Sequence, residues 1–205
     1  MTADLADKTP FGPFKLTMIT IVSGIPRSGT SLMMQMLSAG GMSALTDGLR
    51  SADANNPRGY YELESVKSLA KDSHIIAEGD DKVIKVVSSL LNLLPNQHEY
   101  QVIFMRRPLA EVVASQDRML ERLGKKVDPT PREVVIKAFE RHLKDVQSWI
   151  SNQPNMSVLY TDYPAVLGNP HAEARKVTTF LERNFDVAAM ARQVEVALHR
   201  ERIRA

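Results

Sequence analysis

The stretch IVSGIPRSGTSLMMQML, Ile21–Leu37, decides how the rest of the chain is read. Ile21, Val22 and Ser23 close a β-favouring run that starts at Met18, and Leu32, Met33, Met36 and Leu37 then recur at helical spacing. Between them lies Gly24-Ile25-Pro26-Arg27-Ser28-Gly29-Thr30-Ser31, a glycine-bounded turn. A strand, such a turn and a helix in this order make a cradle for an anion. Successive backbone N–H groups converge on it, and the helix N-terminus adds a partial positive charge. Arg27 offers a planar fork to phosphate oxygens, and Ser28, Thr30 and Ser31 offer hydroxyls. The lysine that a triphosphate-binding loop carries after its second glycine is absent: Thr30 stands there. The competing reading is a glycine-rich strand-to-helix turn with an incidental arginine.

Working outward, three more runs read as strands: KVIKVV (Lys82–Val87), QVIFM (Gln101–Met105) and MSVLY (Met156–Tyr160). Helices fill the intervals. The first, Gly29–Ala39, is stopped by Gly40-Gly41, and a loop rich in Asn, Pro and Gly runs from Gly48 to Gly59. A short helix passes through Val66 and Leu69, and another spans Pro108–Leu123 before Gly124. TPRE (Thr130–Glu133) reads as an N-cap, an N1 proline and a capping-box glutamate opening a helix to Trp149. Asn169 caps a further helix, and the last covers Val187–Arg202. Alternating strands and helices predict an α/β domain over 1–205, its parallel β-sheet flanked by helices on both faces, with 1–16 a loosely ordered lead-in. Ligands of such sheets sit beyond the carboxyl ends of the strands, here Ser23, Val87, Met105 and Tyr160.

Composition narrows the function. A formal charge of +2 gives no case for nucleic-acid binding. The basic HRERIRA end reads as a solvated helix terminus. With no cysteine, thiolate nucleophiles and cysteine–zinc sites are excluded, and no acidic cluster suggests another metal. No apolar run is long enough to span a bilayer, and the N-terminal stretch carries acids and prolines where a signal peptide needs an apolar core, so none is expected. The expected location is cytoplasmic.

The loop GIPRSGTSLMMQML resembles the 5′-phosphosulfate loop of sulfotransferases, the P-loop-like enzymes that use 3′-phosphoadenosine 5′-phosphosulfate (PAPS) as donor and release PAP. It is similar to the arginine-bearing form of bacterial, carbohydrate and tyrosylprotein members; cytosolic members carry lysine at the place of Arg27. VIFMRRPLAEVVAS resembles the family's 3′-phosphate motif, a strand ending in arginine with a serine eight residues later. Aligned on Ser115 the arginine is Arg107, with Arg106 as its rival, because Pro108 follows directly where the family spaces it by one residue. VIKVVSSLLNLLP resembles the strand that carries a lysine and often a histidine two residues on; Lys85 takes the first place and Val87 the second. VLYTDYPAVLGNPHAEARKVTTFL is similar to the Tyr-Glu-Asp stretch, with Tyr160 at the adenosine end of the cofactor. The late Arg-Lys-Gly segment of many cytosolic members is missing.

The resemblance implies a P-loop NTPase-like fold, Pro26–Ser31 around the 5′-phosphosulfate, and Arg107 with Ser115 on the 3′-phosphate. Negative charge growing on the departing 5′-phosphate would meet Arg27, the loop N–H groups and Lys85. The acceptor would be a hydroxyl or amine of a small molecule or glycan, and no metal is required. The candidate general base is Glu62 in NPRGYYE, similar to an NPxGYxE stretch of bacterial relatives; Asp47 and His74 are its rivals. Glu62 reads equally as a first-turn helix acid. Tyr60 and Tyr61 are candidates for the acceptor wall. Two alternatives stay open: a P-loop kinase of small metabolites, which would need Mg-ATP, and a non-catalytic nucleotide-binding module. Oligomeric state is left open.

Overall fold

The computed structural model describes residues 18–50, 52, 53, 56 and 59–194. The expected lead-in over 1–16 and the basic C-terminus lie outside them, as do Pro57 and Arg58 of the NPRGYYE stretch; the last helix, expected over Val187–Arg202, ends at Ala191, with 192–194 described and not helical and 195–202 outside. Strand β1 (Met18–Ser23) is the middle of a five-stranded parallel sheet. The others are β2 (Ser43–Ala44), β3 (Lys82–Lys85), β4 (Glu99–Arg106) and β5 (Met156–Asp162), in the spatial order β2-β3-β1-β4-β5.

Both faces of this sheet are covered, which is why its strands read as nearly continuous apolar runs. Period-two alternation sorts their side chains into two layers. Val22, Val83, Ile103 and Met105 face α1 (Thr30–Ala39), α5 (Tyr163–Gly168), α6 (Pro170–Leu181) and α7 (Val187–Ala191). Ile21, Ile84, Val102 and Phe104 face the other way. They meet the 3₁₀ segments Glu64–Ser68 and Ser88–Leu93, α2 (His74–Ala77) and α4 (Arg132–Ser151). Helix α3 (Leu109–Arg122) follows β4 and lies against α4.

Several expected boundaries move, each for a physical reason. β3 ends at Lys85, not Val87, because the chain turns to follow the glycine loop: Val86 N–H still donates to Val22 O at 3.0 Å, and Ser88 N–H donates to Gly24 O at 3.0 Å. The TPRE cap does not form. Thr130 gives its hydroxyl to Asp128 Oδ1 at 2.6 Å, Pro131 occupies the N-cap position and α4 begins at Arg132. Asn169 does cap α6, its Oδ1 accepting Ala172 N–H at 3.1 Å. The short elements β2, α2 and α5 have no counterpart in the sequence reading.

Candidate functional site

The loop after β1 has a backbone that few residues tolerate. Gly24 has φ of +147°, and a Cβ there would come within 2.6 Å of Met105 O. Gly29 has φ of +105°, and a Cβ there would meet the Tyr163 ring at 2.5 Å. Between them Arg27 takes φ of +73°, a left-handed conformation costing about 1–3 kcal/mol for a non-glycine residue. The turn is closed by Ser28 N–H to Ile25 O at 3.2 Å, and Gly29 O accepts Met33 N–H at 3.1 Å. Helix α1 starts here with no side-chain cap and no acidic residue in its first turn. The leading N–H groups of an α-helix have no acceptor within it, so this end presents donors and positive potential.

A cavity of about 580 Å³ opens at the loop. Pro26, Arg27, Gly29, Thr30 and Ser31 form one side of it. Glu62, Lys85, Arg107 and Ser115 come to the same space from four other segments. Val87, at the place of the family's histidine, also lines it. Two of the expected residues do not. Ser28 is fully buried beneath the loop, and its Oγ finds no hydrogen-bond partner among the described residues. Tyr160 packs on Phe104, ring centroids 5.6 Å apart, and does not line the cavity.

The two adjacent arginines go opposite ways. Arg107 turns inward: its Nε donates to Glu111 Oε2 at 2.9 Å, and both side chains are 7% exposed. Its Nη1 donates to Arg27 O at 3.2 Å, so it clamps the strained residue of the loop. The guanidinium also lies 4.7 Å from the Tyr163 ring centroid. Arg106 is exposed, makes a two-pronged pair with Asp162 at 2.9 and 2.8 Å, and lies over the Tyr160 ring. Arg27 itself reaches across the cavity, its Nε donating to Ser115 Oγ at 2.9 Å. Burial lowers the Arg27 pKa from its usual value; Tyr60 opposes this, while Arg107 and Arg122 add to it.

The opposite wall carries a carboxylate held between cations. Lys85 Nζ donates to Tyr60 O at 2.7 Å and to Ser31 Oγ at 3.1 Å, and stands 3.8 Å from Glu62 Oε1. Burial pushes the Lys85 ammonium down to about 8, with Glu62 opposing the shift. Glu62 Oε1 also accepts Arg50 Nη1 at 2.8 Å. Arg50 stacks 3.4 Å above the Tyr60 ring, and the Tyr60 hydroxyl donates to Asp53 Oδ1 at 2.8 Å.

Of the rivals to Glu62, Asp47 is spent on backbone. Its carboxylate accepts Glu64 N–H at 2.5 Å and Leu49 N–H at 3.0 Å, and these bonds hold its pKa below the usual range. His74 opens α2 and does not line the cavity. Tyr60 is on the wall, whereas Tyr61 packs against the α1 layer. Arg50, Arg118 and Arg122 also line the cavity and were not anticipated. The α3 pair had a signal, since Ser115, Arg118 and Arg122 share one helical face at i, i+3 and i+7. Arg50 had none, being one basic residue in an irregular loop.

Two solved structures share the architecture. The sulfotransferase domain of the Synechococcus PCC 7002 olefin synthase superposes with a TM-score of 0.55 at 14% identity, covering 90% of this chain and 80% of that one. The sulfotransferase domain from the curacin biosynthetic pathway gives 0.51 at 14% identity, covering 88% and 78%. At such identity these likenesses bear on the fold, which is the P-loop-like α/β fold of sulfotransferases. No match to the chain was found among curated protein sequences. The sulfotransferase domain family model matches residues 19–200, nearly the whole chain including the loop, Lys85, Arg107 and Ser115, and the chain belongs to that family.

Proposed function

We propose that this sulfotransferase moves a sulfuryl group from PAPS to a hydroxyl or amine of a small-molecule or glycan acceptor. One observation carries the choice of donor: two groups of cations and hydrogen-bond donors open on one cavity. The loop with the α1 N-terminus is one, Arg107 with Ser115 is the other, and the Arg27–Ser115 hydrogen bond links them. A donor with anionic groups at both its 5′ and 3′ ends fits that pair. A triphosphate loop would want a lysine at Thr30. Gly24 and Gly29 keep the turn after β1 in its shape, because a Cβ at either would meet Met105 O or the Tyr163 ring.

PAPS supplies an activated sulfuryl group with PAP as its leaving group. In the transfer the acceptor O–S or N–S bond forms, the S–O bond to the 5′-phosphate breaks, and the acceptor's proton passes to Glu62. Arg27, Lys85 and the N–H groups of the loop form a fixed positive field where charge grows on the departing phosphate. Lys85 is tied to Ser31 and the Tyr60 carbonyl, so it is aimed before substrate arrives. Arg50 orients Glu62 from outside. Arg107 binds the 3′-phosphate and, through the Arg27 carbonyl, keeps the loop in its binding shape. No helix among the described residues is long and apolar enough to cross a membrane.

The test is thermal stabilisation by PAP, compared with 5′-AMP and with Mg-ATP. A ligand at roughly a hundred times its Kd adds about 2.7 kcal/mol. The expected result is a shift that requires the 3′-phosphate and disappears in Arg107→Ala. A shift with Mg-ATP alone would replace this reading with a kinase, and no shift with any ligand would leave a non-catalytic module.

A further inference from the structure

A buried acid stands behind the donor end of the cavity. Glu111 lies in the first turn of α3, where the helix N-terminus favours a carboxylate, but an exposed one would serve that purpose equally. Burying a carboxylate is costly unless it is paired and hydrogen-bonded, and Arg107 meets that condition. Arg107, Glu111 and Ser115 follow one another at intervals of four, the spacing that brings side chains to one side of a helix. Arg107 and Ser115 line the cavity; Glu111, between them, does not.

The guanidinium of Arg107 is held at two corners. Glu111 Oε2 accepts its Nε at 2.9 Å, and Arg27 O accepts its Nη1 at 3.2 Å. With the Tyr163 ring centroid 4.7 Å away, the planar fork has one orientation, and Nη2 is the corner not engaged among the described residues. Ser115 Oγ accepts Arg27 Nε at 2.9 Å, which leaves the hydroxyl proton as a second donor. A carboxylate this close to an anion site repels the ligand, so its place there calls for a gain that outweighs the repulsion. We infer that Glu111 is a positioning residue for the donor's 3′-phosphate: it acts through Arg107, holding Nε so that the remaining corner is aimed before the ligand arrives. This rests on the reading of Arg107 given above.

The experiment titrates the full chain calorimetrically with PAP and with 5′-AMP, so that the ratio of the two affinities reads the 3′-phosphate alone. Glu111→Ala is expected to lower that ratio about tenfold while 5′-AMP affinity stays within about twofold. Glu111→Gln, whose amide oxygen still accepts from Nε, is expected to keep at least the wild-type ratio. In an Arg107→Ala background, adding Glu111→Ala should change the ratio by less than about twofold, because the group it acts through is gone. That pair removes both buried charges, so it stays readable where Glu111→Ala alone does not fold. Four outcomes overturn the inference. A ratio kept or raised in Glu111→Ala makes the acid a counter-ion only, and PAP and 5′-AMP falling together makes it a support of the whole loop. Glu111→Gln falling as far as Glu111→Ala assigns the effect to charge, and a further loss in the double variant means that Glu111 acts without Arg107. A wild type that does not prefer PAP to 5′-AMP removes the reading of Arg107 itself, and is seen before any variant is made.

Discussion

The two walls of the cavity are built on different principles. The loop wall is backbone: β1 and α1 bring fully buried Ile21, Val22, Met33 and Met34, and two glycines hold a turn that side chains would break. The facing wall, between Met42 and Glu62, has little regular structure among its described residues. β2 is two residues long, and beyond it a few backbone bonds, such as Leu45 N–H to Val83 O at 3.0 Å, are joined by side-chain bonds: Arg50 to Glu62, Tyr60 to Asp53, and Thr46 Oγ1 to Glu62 O at 2.7 Å. Segments with few buried contacts and exposed hydrogen bonds are the ones that open first. The difference teaches a division of labour: the loop wall is fixed by backbone sterics, and the facing wall is the one that can adapt.

Matched glycine variants test this most severely. Gly29→Ala puts a methyl 2.5 Å from the Tyr163 ring at φ +105° and should destabilise by about 3 kcal/mol, abolishing PAP binding. Gly59→Ala, at φ +89° with open space around it, should cost only about 1 kcal/mol of strain. Urea midpoints of the two variants measure the contrast, and equal losses would erase it.

The next effect separates neighbours. Arg107→Ala removes a charge-assisted contact and leaves buried Glu111 without this partner, so PAP affinity should fall on the order of 30-fold. Arg106→Ala touches an exposed pair and should change affinity by less than about twofold. Calorimetric titration with PAP decides between them.

A smaller effect is read against pH. The Lys85 ammonium is depressed to about 8 in the folded protein, from a usual 10.5. Between those values the unfolded chain binds more protons, so this residue makes stability rise with pH from about 8 toward 10.5. The cost of burying its charge is fully present below that window and is relieved within it. PAP affinity should run the other way, falling as pH passes about 8 because the anion loses a cation. Lys85→Met should flatten both trends relative to wild type, as followed by urea midpoints and PAP titration across pH 7–10.

The smallest expected change is on the adaptable wall. Arg50→Ala breaks a partly exposed ion pair, its side chains 43% and 27% exposed, and should cost less than about 1 kcal/mol with PAP affinity unchanged. A loss of PAP binding there would show that the two walls are not independent.

Much of this was legible in the residues themselves. The β-branched runs located β1, β3, β4 and β5, because strands covered on both faces must be apolar throughout. The glycine spacing located the tight turn after β1, because only glycine tolerates those φ values in such tight contact. β2 was not legible: two residues carry no periodicity. The choice between Arg106 and Arg107 was not legible either, since both follow the same strand and one charge reads like the other. Only the folded chain separates them. Arg107, one residue past β4, meets Tyr163 and lines the cavity, whereas Arg106, the last residue of β4, lies over Tyr160 and neither of them lines it.

By itself, then, the chain determined the order of the four longer strands, the glycine turn after the first of them and the lysine on the neighbouring strand, all set by local conformational preference and apolar pattern. Tertiary structure alone decided that Arg27 meets Ser115, that Glu62 stands between Lys85 and Arg50, and that α3 brings two more arginines to the mouth. Those contacts join residues far apart in the chain, and their geometry depends on which face each strand and helix turns inward, which no local stretch encodes.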